Sequence, residues 1–153
     1  MTPHRIDDTL SVSPQIAPSD IAELRAAGYR SVICNRPDGE GTDQFEFEEI
    51  EAAAREAGLE ARYLPVQSGR VTDADASAFA AALRELPGPT LAYCRSGTRS
   101  ATLWSLTAAA RLSCRRYPRG DRRMPVTTCP VSYAASRPAG ARPRTTPMRG
   151  MRS

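Results

Sequence analysis

The sequence predicts an α/β fold in which a mostly parallel central sheet is flanked by helices. Short apolar runs of strand length alternate along the chain with segments whose apolar residues recur at helical spacing. Strands connected through helices pair in parallel by right-handed crossovers, and both faces of such a sheet are covered. The 153 residues are enough for one domain with a hydrophobic core.

The first 40 residues contain two predicted strands and one predicted helix. Alternating apolar and polar residues at 10–13 predict a short edge strand. Asp20 then begins a helix, and Gly28 ends it because glycine readily adopts the left-handed conformation. An apolar strand at residues 31–34 leads into turn-forming residues at 35–39.

The same alternation continues towards the middle of the chain. A helix is expected at residues 43–57, with Phe45 among the apolar residues available for burial. A strand at residues 61–66 and a loop follow. Thr72 and Asp75 have the spacing of a capping box, so the next helix is expected to begin there.

One loop carries the strongest chemical signal. The sequence Cys-Arg-Ser-Gly-Thr-Arg-Ser joins an apolar strand at residues 90–93 to a helical segment near Ala101. A strand-to-helix loop of this kind directs backbone N–H groups inward at the positive end of the helix dipole, which favours a bound anion. Cys94 is therefore expected to be a thiolate nucleophile. Arg99 offers a planar guanidinium to an oxyanion.

The other residues of this loop are expected to support the same chemistry. Backbone N–H groups of Arg95, Ser96, Gly97 and Thr98 are the predicted anion donors, and the Ser100 hydroxyl is expected to steady the thiolate or the leaving group. The alternative interpretation is a structural cysteine in an ordinary turn, because free cysteine is commonly a small core residue.

Neighbouring strand ends supply further candidates. The carboxyl ends of parallel strands meet at one edge of the sheet, so the loops after residues 34 and 66 should lie near Cys94. Arg36 and Asp38 are therefore candidate supporting residues. Cys34 could resolve an oxidised or persulfidated Cys94, although a plain core thiol is the expected role.

Charge divides the chain near Arg111. Residues 1–110 contain ten arginines and sixteen acidic residues, whereas residues 111–153 contain eleven arginines and one acid. We therefore predict a domain at 1–110 and an Arg- and Pro-rich, disordered tail at 111–153. A nucleic-acid-binding arm would be one interpretation of the tail; we favour a shifted reading frame and expect no nucleic-acid partner.

Composition excludes several other classes. The four cysteines lack paired metal-ligand spacing and the sequence has one histidine, so neither a metal nor another cofactor is expected. The N-terminus is polar and no apolar run is long enough to span a bilayer. We expect a cytoplasmic protein with no membrane partner.

Together these residues resemble the phosphatase-like domain of beta-lactamase hydrolase-like proteins. The resemblance covers residues 8–106 and is carried by segments 32–40, 63–66 and 94–104. It implies a fold like that of protein-tyrosine and dual-specificity phosphatases, a cysteine-dependent hydrolase activity and a small anionic substrate. It also implies a functional link to sulfur enzymes of the metallo-beta-lactamase fold.

The chain departs from dual-specificity phosphatases in three ways. Tyr93 replaces the usual histidine, four residues instead of five separate Cys94 from Arg99, and Gln67 and Ser68 stand where a general-acid aspartate is expected. The short loop also resembles that of rhodanese sulfurtransferases, which implies a persulfide on Cys94 as the alternative chemistry. A second alternative is a non-catalytic anion-binding pseudoenzyme.

Overall fold

The computed structural model describes residues 2–116, and of residues 110–116 it describes the backbone alone. In chain order, its elements are β1 (His4–Arg5), β2 (Leu10–Ser13), α1 (Asp20–Ala26), β3 (Ser31–Cys34), α2 (Phe47–Ala57), β4 (Glu60–Tyr63), α3 (Asp73–Glu85), β5 (Thr90–Tyr93) and α4 (Thr98–Arg116).

The five strands form one sheet in the order β1-β2-β5-β3-β4. The β1 strand is antiparallel to β2, and the other neighbouring strands are parallel. The predicted α/β fold with a mostly parallel sheet is therefore confirmed. The β5 strand, which precedes Cys94, lies in the centre of the sheet, so the loop that follows it has a neighbouring strand on either side.

Helices cover both faces of the sheet because side chains alternate along each strand. Val32 packs in a core cluster with Leu24 of α1 and Ile50 of α2. The adjacent Ile33 belongs to a second cluster, with Phe79 of α3 and Leu103 of α4. Trp104 of α4 lies against this second cluster, and its Nε1 donates to Asp7 Oδ2 at 3.1 Å.

Two element predictions need correction. The strand at residues 10–13 is not an edge strand, because His4–Arg5 pairs outside it and all four of its residues are buried. The two-residue β1 strand is too short to show any periodicity. The second helix begins at Phe47 instead of residue 43, and Phe45 remains 43% exposed.

The other predicted element boundaries lie closer to those in the structure. Thr72 and Asp75 form the predicted capping box at the start of α3. The last helix begins at Thr98, inside the central loop, which places its N-terminus beside Cys94. The predicted domain boundary at residue 110 lies within α4, and the tail from residue 117 onwards lies outside the described residues.

In the described part of the chain, no helix combines the length and the apolar character that a bilayer crossing requires. Within the same residues, no group of three or more His, Cys, Asp and Glu side chains could hold a metal ion.

Candidate active site

A cavity of about 410 Å³ opens where β5 ends. One wall, here called the β5 wall, comes from the central loop and the first turns of α4 and consists of Cys94, Arg95, Ser96, Thr98, Arg99 and Thr102. The opposite wall, here called the β4 wall, comes from the loop after β4 and consists of Ser68, Gly69 and Val71. The cavity is therefore formed by the loop that the sequence singles out.

Cys94 lies at the base of this cavity and is 1% exposed. Its Sγ accepts a hydrogen bond from the Gly97 backbone N–H at 3.1 Å. The main chain of the loop thus directs a hydrogen-bond donor at this sulfur atom.

Gly97 is required by the shape of this turn. Its φ of +85° lies in the left-handed region, which disfavours residues with a side chain. A Cβ added there would also meet the carbonyl carbon and oxygen of Ser13 at 3.3 Å. The same Ser13 oxygen accepts from the Cys94 backbone N–H at 3.3 Å, so the end of β2 sets the path of the loop.

Arg99 is bound through both of its Nη atoms, and its Nε has no hydrogen-bond partner. Its Nη1 donates to the Asn35 carbonyl at 3.0 Å, and its Nη2 donates to Glu40 Oε1 at 2.7 Å. Its Nε is buried and has no hydrogen-bond partner. The residue is 8% exposed and lines the same cavity as Cys94, so this Nε is a buried donor that a bound anion could satisfy.

Glu40 connects Arg99 to a second buried arginine. Its Oε2 accepts from Arg36 Nε at 3.0 Å, while its Oε1 binds Arg99. Arg36 is 1% exposed and also donates to Gln15 and Asp43. Burial acts to lower the pKa of Arg36, but its hydrogen bonds to Asp43 and Glu40 outweigh burial and raise that pKa. Arg36 thus supports the site indirectly, through Glu40.

Ser100 contacts Asn35 instead of the nucleophile. Its hydroxyl donates to Asn35 Oδ1 at 2.8 Å, while Asn35 Nδ2 donates to the Leu64 carbonyl at 3.1 Å. A hydroxyl has one proton to donate, so it cannot at the same time donate to Cys94. In this structure Ser100 fixes Asn35, whose carbonyl in turn holds Arg99.

Asp38 lies outside the cavity. Its Oδ1 accepts from the Phe47 backbone N–H at 2.9 Å, at the start of α2. Its own N–H donates to the Tyr63 hydroxyl at 2.9 Å. Among the residues that line the cavity there is no aspartate, glutamate or histidine. The described part of the chain therefore places no evident proton donor next to a leaving group.

Cys34 is a core thiol. It lies opposite Tyr93 in the sheet and shares a core cluster with it, whereas Cys94 lines the cavity. Its Sγ donates to the Arg36 carbonyl at 3.2 Å, and burial raises its pKa to about 11. Tyr93, at the position of the usual histidine, is 1% exposed, and burial raises its pKa as well. The burial of Cys34 and its raised pKa agree with the expected structural role of this thiol.

The sequence predicted roles for Cys94 and Arg99, but it did not predict that Asn35, Glu40 and Gln15 hold Arg99 and Arg36. The available signal was weak, because Asn35 belongs to the predicted turn at residues 35–39 and Glu40 follows directly after it. Their partners lie 59 and 65 positions away in the chain.

A family model described as "Beta-lactamase hydrolase-like protein, phosphatase-like domain" matches residues 4–111. The chain is 37% identical over 105 residues to the beta-lactamase hydrolase-like protein of Agrobacterium fabrum, and 38% identical over 102 residues to that of Xylella fastidiosa. These alignments cover 69% and 67% of the chain and 24% of each relative. The chain thus spans about a quarter of the length of these curated relatives.

Solved structures show the same similarity. A putative phosphatase from Neisseria meningitidis superposes with a TM-score of 0.66 at 33% identity, over 70% of this chain and 76% of that one. A putative phosphatase from Shewanella putrefaciens gives a TM-score of 0.63 at 21% identity, over 72% of each chain. The second similarity concerns the fold alone. Both agree with the phosphatase-like fold that the resemblance implied.

Proposed function

Because the chain belongs to the family of the beta-lactamase hydrolase-like protein, phosphatase-like domain, we propose that Cys94 is the nucleophile of a hydrolase acting on a phosphate-type substrate. One observation carries the proposal: Arg99, whose buried Nε has no hydrogen-bond partner, lines the same cavity as Cys94, whose Sγ already accepts a backbone N–H. This combination suits a tetrahedral anion attacked by sulfur.

The proposed reaction has two steps. The Cys94 thiolate attacks phosphorus, a sulfur–phosphorus bond forms, and the bond to the leaving oxygen breaks with its electron pair on that oxygen. Backbone N–H groups of residues 95–99 and the Arg99 Nε hold the remaining phosphoryl oxygens. Water then attacks phosphorus, the sulfur–phosphorus bond breaks, and inorganic phosphate and the thiolate are released.

Asn35 and Glu40 are positioning residues in this mechanism. The Asn35 carbonyl accepts a hydrogen bond from Arg99 Nη1, and Glu40 accepts one from Arg99 Nη2. These two bonds fix the guanidinium plane before the substrate arrives. A preorganised donor costs no reorganisation at the transition state, which is why such groups contribute strongly to catalysis. Ser100 acts one step further away, by holding Asn35.

Two further proposals accompany this one. We place the activity in the cytoplasm, where the reducing environment would keep Cys94 a thiol. We also propose a functional link to the metallo-hydrolase-type sulfur enzymes that the family resemblance implied, since the curated relatives extend well beyond the part that this chain matches.

Sulfur transfer is the second candidate, favoured by the four-residue loop and by the absence of an acid among the cavity-lining residues. In that reaction the Cys94 thiolate attacks the sulfane sulfur of a donor such as thiosulfate. The sulfur–sulfur bond breaks, sulfite leaves, and a thiol acceptor later removes the sulfur from the persulfide. No leaving oxygen has to be protonated.

The test is hydrolysis of 4-nitrophenyl phosphate by the full chain. We expect Cys94→Ser to lower kcat/KM by at least about 10³-fold, because removal of a nucleophile eliminates the covalent route. Cys34→Ala is the matched control, since Cys34 lies in the core, and should retain most of the activity if circular dichroism shows a folded protein. Full activity in Cys94→Ser would contradict the hydrolase. Transfer of sulfur from thiosulfate without phosphate release would favour the second candidate.

A further inference from the structure

We propose that the cavity is built for a phosphoanhydride substrate, in which Cys94 attacks the terminal phosphoryl group and Arg95 binds the phosphate that leaves. This inference rests on the proposed hydrolase function and names the substrate class of the same site. Three features of the described residues support it: the absence of an acid from the cavity lining, the exposed Arg95 guanidinium and the volume of the cavity.

The missing acid restricts the leaving group. The cavity lining contains no carboxyl or imidazole group, and Asp38 is engaged at the start of α2. Without a proton donor, an alcohol would have to leave as an unstable alkoxide, and general-acid catalysis of that step is typically worth about 10²–10⁴ in rate. A phosphate leaves as a stable anion and needs no such donor.

Arg95 gives the leaving phosphate a binding partner. It follows Cys94 directly, lines the cavity and is exposed. Within residues 2–116, no hydrogen bond and no ion pair within 4.0 Å is found for its guanidinium, whereas both Nη atoms of Arg99 are bonded. Hydrogen bonding lowers the pKa of the Asp43 carboxyl, and the charge of Arg95 does lie near enough to contribute to that lowered pKa. A free planar guanidinium can bind a phosphate in bidentate fashion and stabilise the negative charge that develops on it.

The cavity is large enough to hold a whole small molecule. A volume of about 410 Å³ lies within the range of about 300–1,000 Å³ typical of small-molecule sites. The lining residues include Ser68, Ser96, Thr98 and Thr102, and the one aliphatic residue among them is Val71.

No aromatic side chain lines the cavity in the described part of the chain. Phe47 and Tyr63 stack on each other at a centroid distance of 4.9 Å, and Trp104 packs against the core. A flat aromatic leaving group would therefore find no ring to stack on in this cavity, so the lining offers a phosphotyrosine side chain no aromatic contact.

The reaction balances with water as the only co-reactant. Cys94 sulfur bonds to the terminal phosphorus, and the bond from that phosphorus to the bridging oxygen breaks with its electron pair on the leaving phosphate. Water then splits the sulfur–phosphorus bond, and its proton passes to solvent. One diphosphate and one water give one monophosphate and one inorganic phosphate.

The experiment compares adenosine diphosphate with adenosine monophosphate, which share a nucleoside and differ in the bond to be broken. Both are incubated with the full chain and EDTA, and phosphate release is measured beside that from 4-nitrophenyl phosphate. We expect kcat/KM for the diphosphate to exceed that for the monophosphate by at least about 100-fold, because only the monophosphate needs a protonated leaving group.

Variants test the role of Arg95. Arg95→Gln should lower the diphosphate kcat/KM at least about tenfold more than it lowers that for 4-nitrophenyl phosphate. Arg84→Gln, an exposed arginine near the end of α3, is the matched control and should change neither value by more than about twofold.

The outcomes separate the two proposals. Equal rates on the two adenosine nucleotides, or an equal loss on both test substrates in Arg95→Gln, would overturn the phosphoanhydride inference while leaving the hydrolase intact. Failure to release phosphate from any of the three substrates would overturn the hydrolase itself, and this inference with it.

Discussion

The two walls of the cavity differ in how firmly the rest of the molecule holds them. In the β5 wall, Arg99 is bound to Asn35 and Glu40, the Arg95 carbonyl accepts from Gln15 N–H, and Gly97 fits closely against Ser13. In the β4 wall, the Arg70 N–H donates to the Gln67 carbonyl, and a Cβ added at Gly69 would meet nothing within 4 Å.

This difference separates two tasks. The β5 wall contains the proposed nucleophile and the proposed anion donors, whose geometry must be fixed before the substrate binds. The β4 wall contributes two small residues and Val71, and it carries no acid where related phosphatases are expected to have one. We infer that the first wall determines whether reaction occurs and the second determines which leaving groups are accepted.

Glu40→Gln should have the largest effect among variants outside the reacting groups, because it weakens the support of the β5 wall. Loss of the carboxylate leaves Arg36 and Arg99, whose side chains are 1% and 7% exposed, without their shared counter-charge. We expect kcat/KM for 4-nitrophenyl phosphate to fall by about 10- to 100-fold, as a loss of about 1.5–3 kcal/mol of charge-assisted bonding implies.

Asp43→Asn is the matched control for that variant. Asp43, like Glu40, accepts a hydrogen bond from Arg36, at a distance of 2.8 Å for Asp43. Unlike Glu40, Asp43 makes no recorded contact with Arg99. Hydrogen bonding to Arg36 lowers the pKa of Asp43. We expect a change of less than about threefold in kcat/KM. Equal losses in the two variants would mean that the effect comes from Arg36 and would contradict the positioning role of Glu40.

A smaller effect is expected from a pair of glycine substitutions that compares the walls directly. Gly97 and Gly69 have φ values of +85° and +73°, so alanine carries a conformational cost of about 1–2 kcal/mol at either position. At Gly97 the new methyl group also meets the Ser13 backbone at 3.3 Å, and the bond from Gly97 N–H to Cys94 Sγ is disturbed.

Thermal unfolding and kinetics together measure this difference. We expect Gly69→Ala to lower Tm by about 4–8 °C for each kcal/mol lost, with kcat/KM nearly unchanged. Gly97→Ala should lower Tm further and reduce kcat/KM by at least about tenfold. Similar activity in the two variants would show that the close fit of the β5 wall is unimportant for catalysis.

The sequence was sufficient for the parts of the site that are local in the chain. Cys94, Gly97 and Arg99 lie within six residues, and a strand-to-helix loop implies inward N–H groups whatever surrounds it. The parallel sheet followed from alternating strands and helices, and the β5 strand then had to end near the neighbouring loops.

The rest depended on contacts between distant residues. Glu40 and Asn35 meet Arg99 and Ser100 across 59 and 65 positions, so their roles emerge only when the strands are aligned. Ser100 was expected to face the thiolate, but its hydroxyl bonds to Asn35. Asp38 was a candidate because of its position after β3. In the structure, its carboxylate instead accepts the Phe47 N–H at the start of α2, where backbone donors lack a partner within the helix.

The most direct test of the account is the chemical state of Cys94 during turnover. The full chain is mixed with 4-nitrophenyl phosphate, quenched in alkaline denaturant within the first turnover, digested and analysed by peptide mass spectrometry. We predict a gain of one phosphoryl group on the peptide that contains Cys94, and no gain in Cys94→Ser. Phosphate release by the wild-type chain with Cys94 unmodified at every quench time would contradict the central claim.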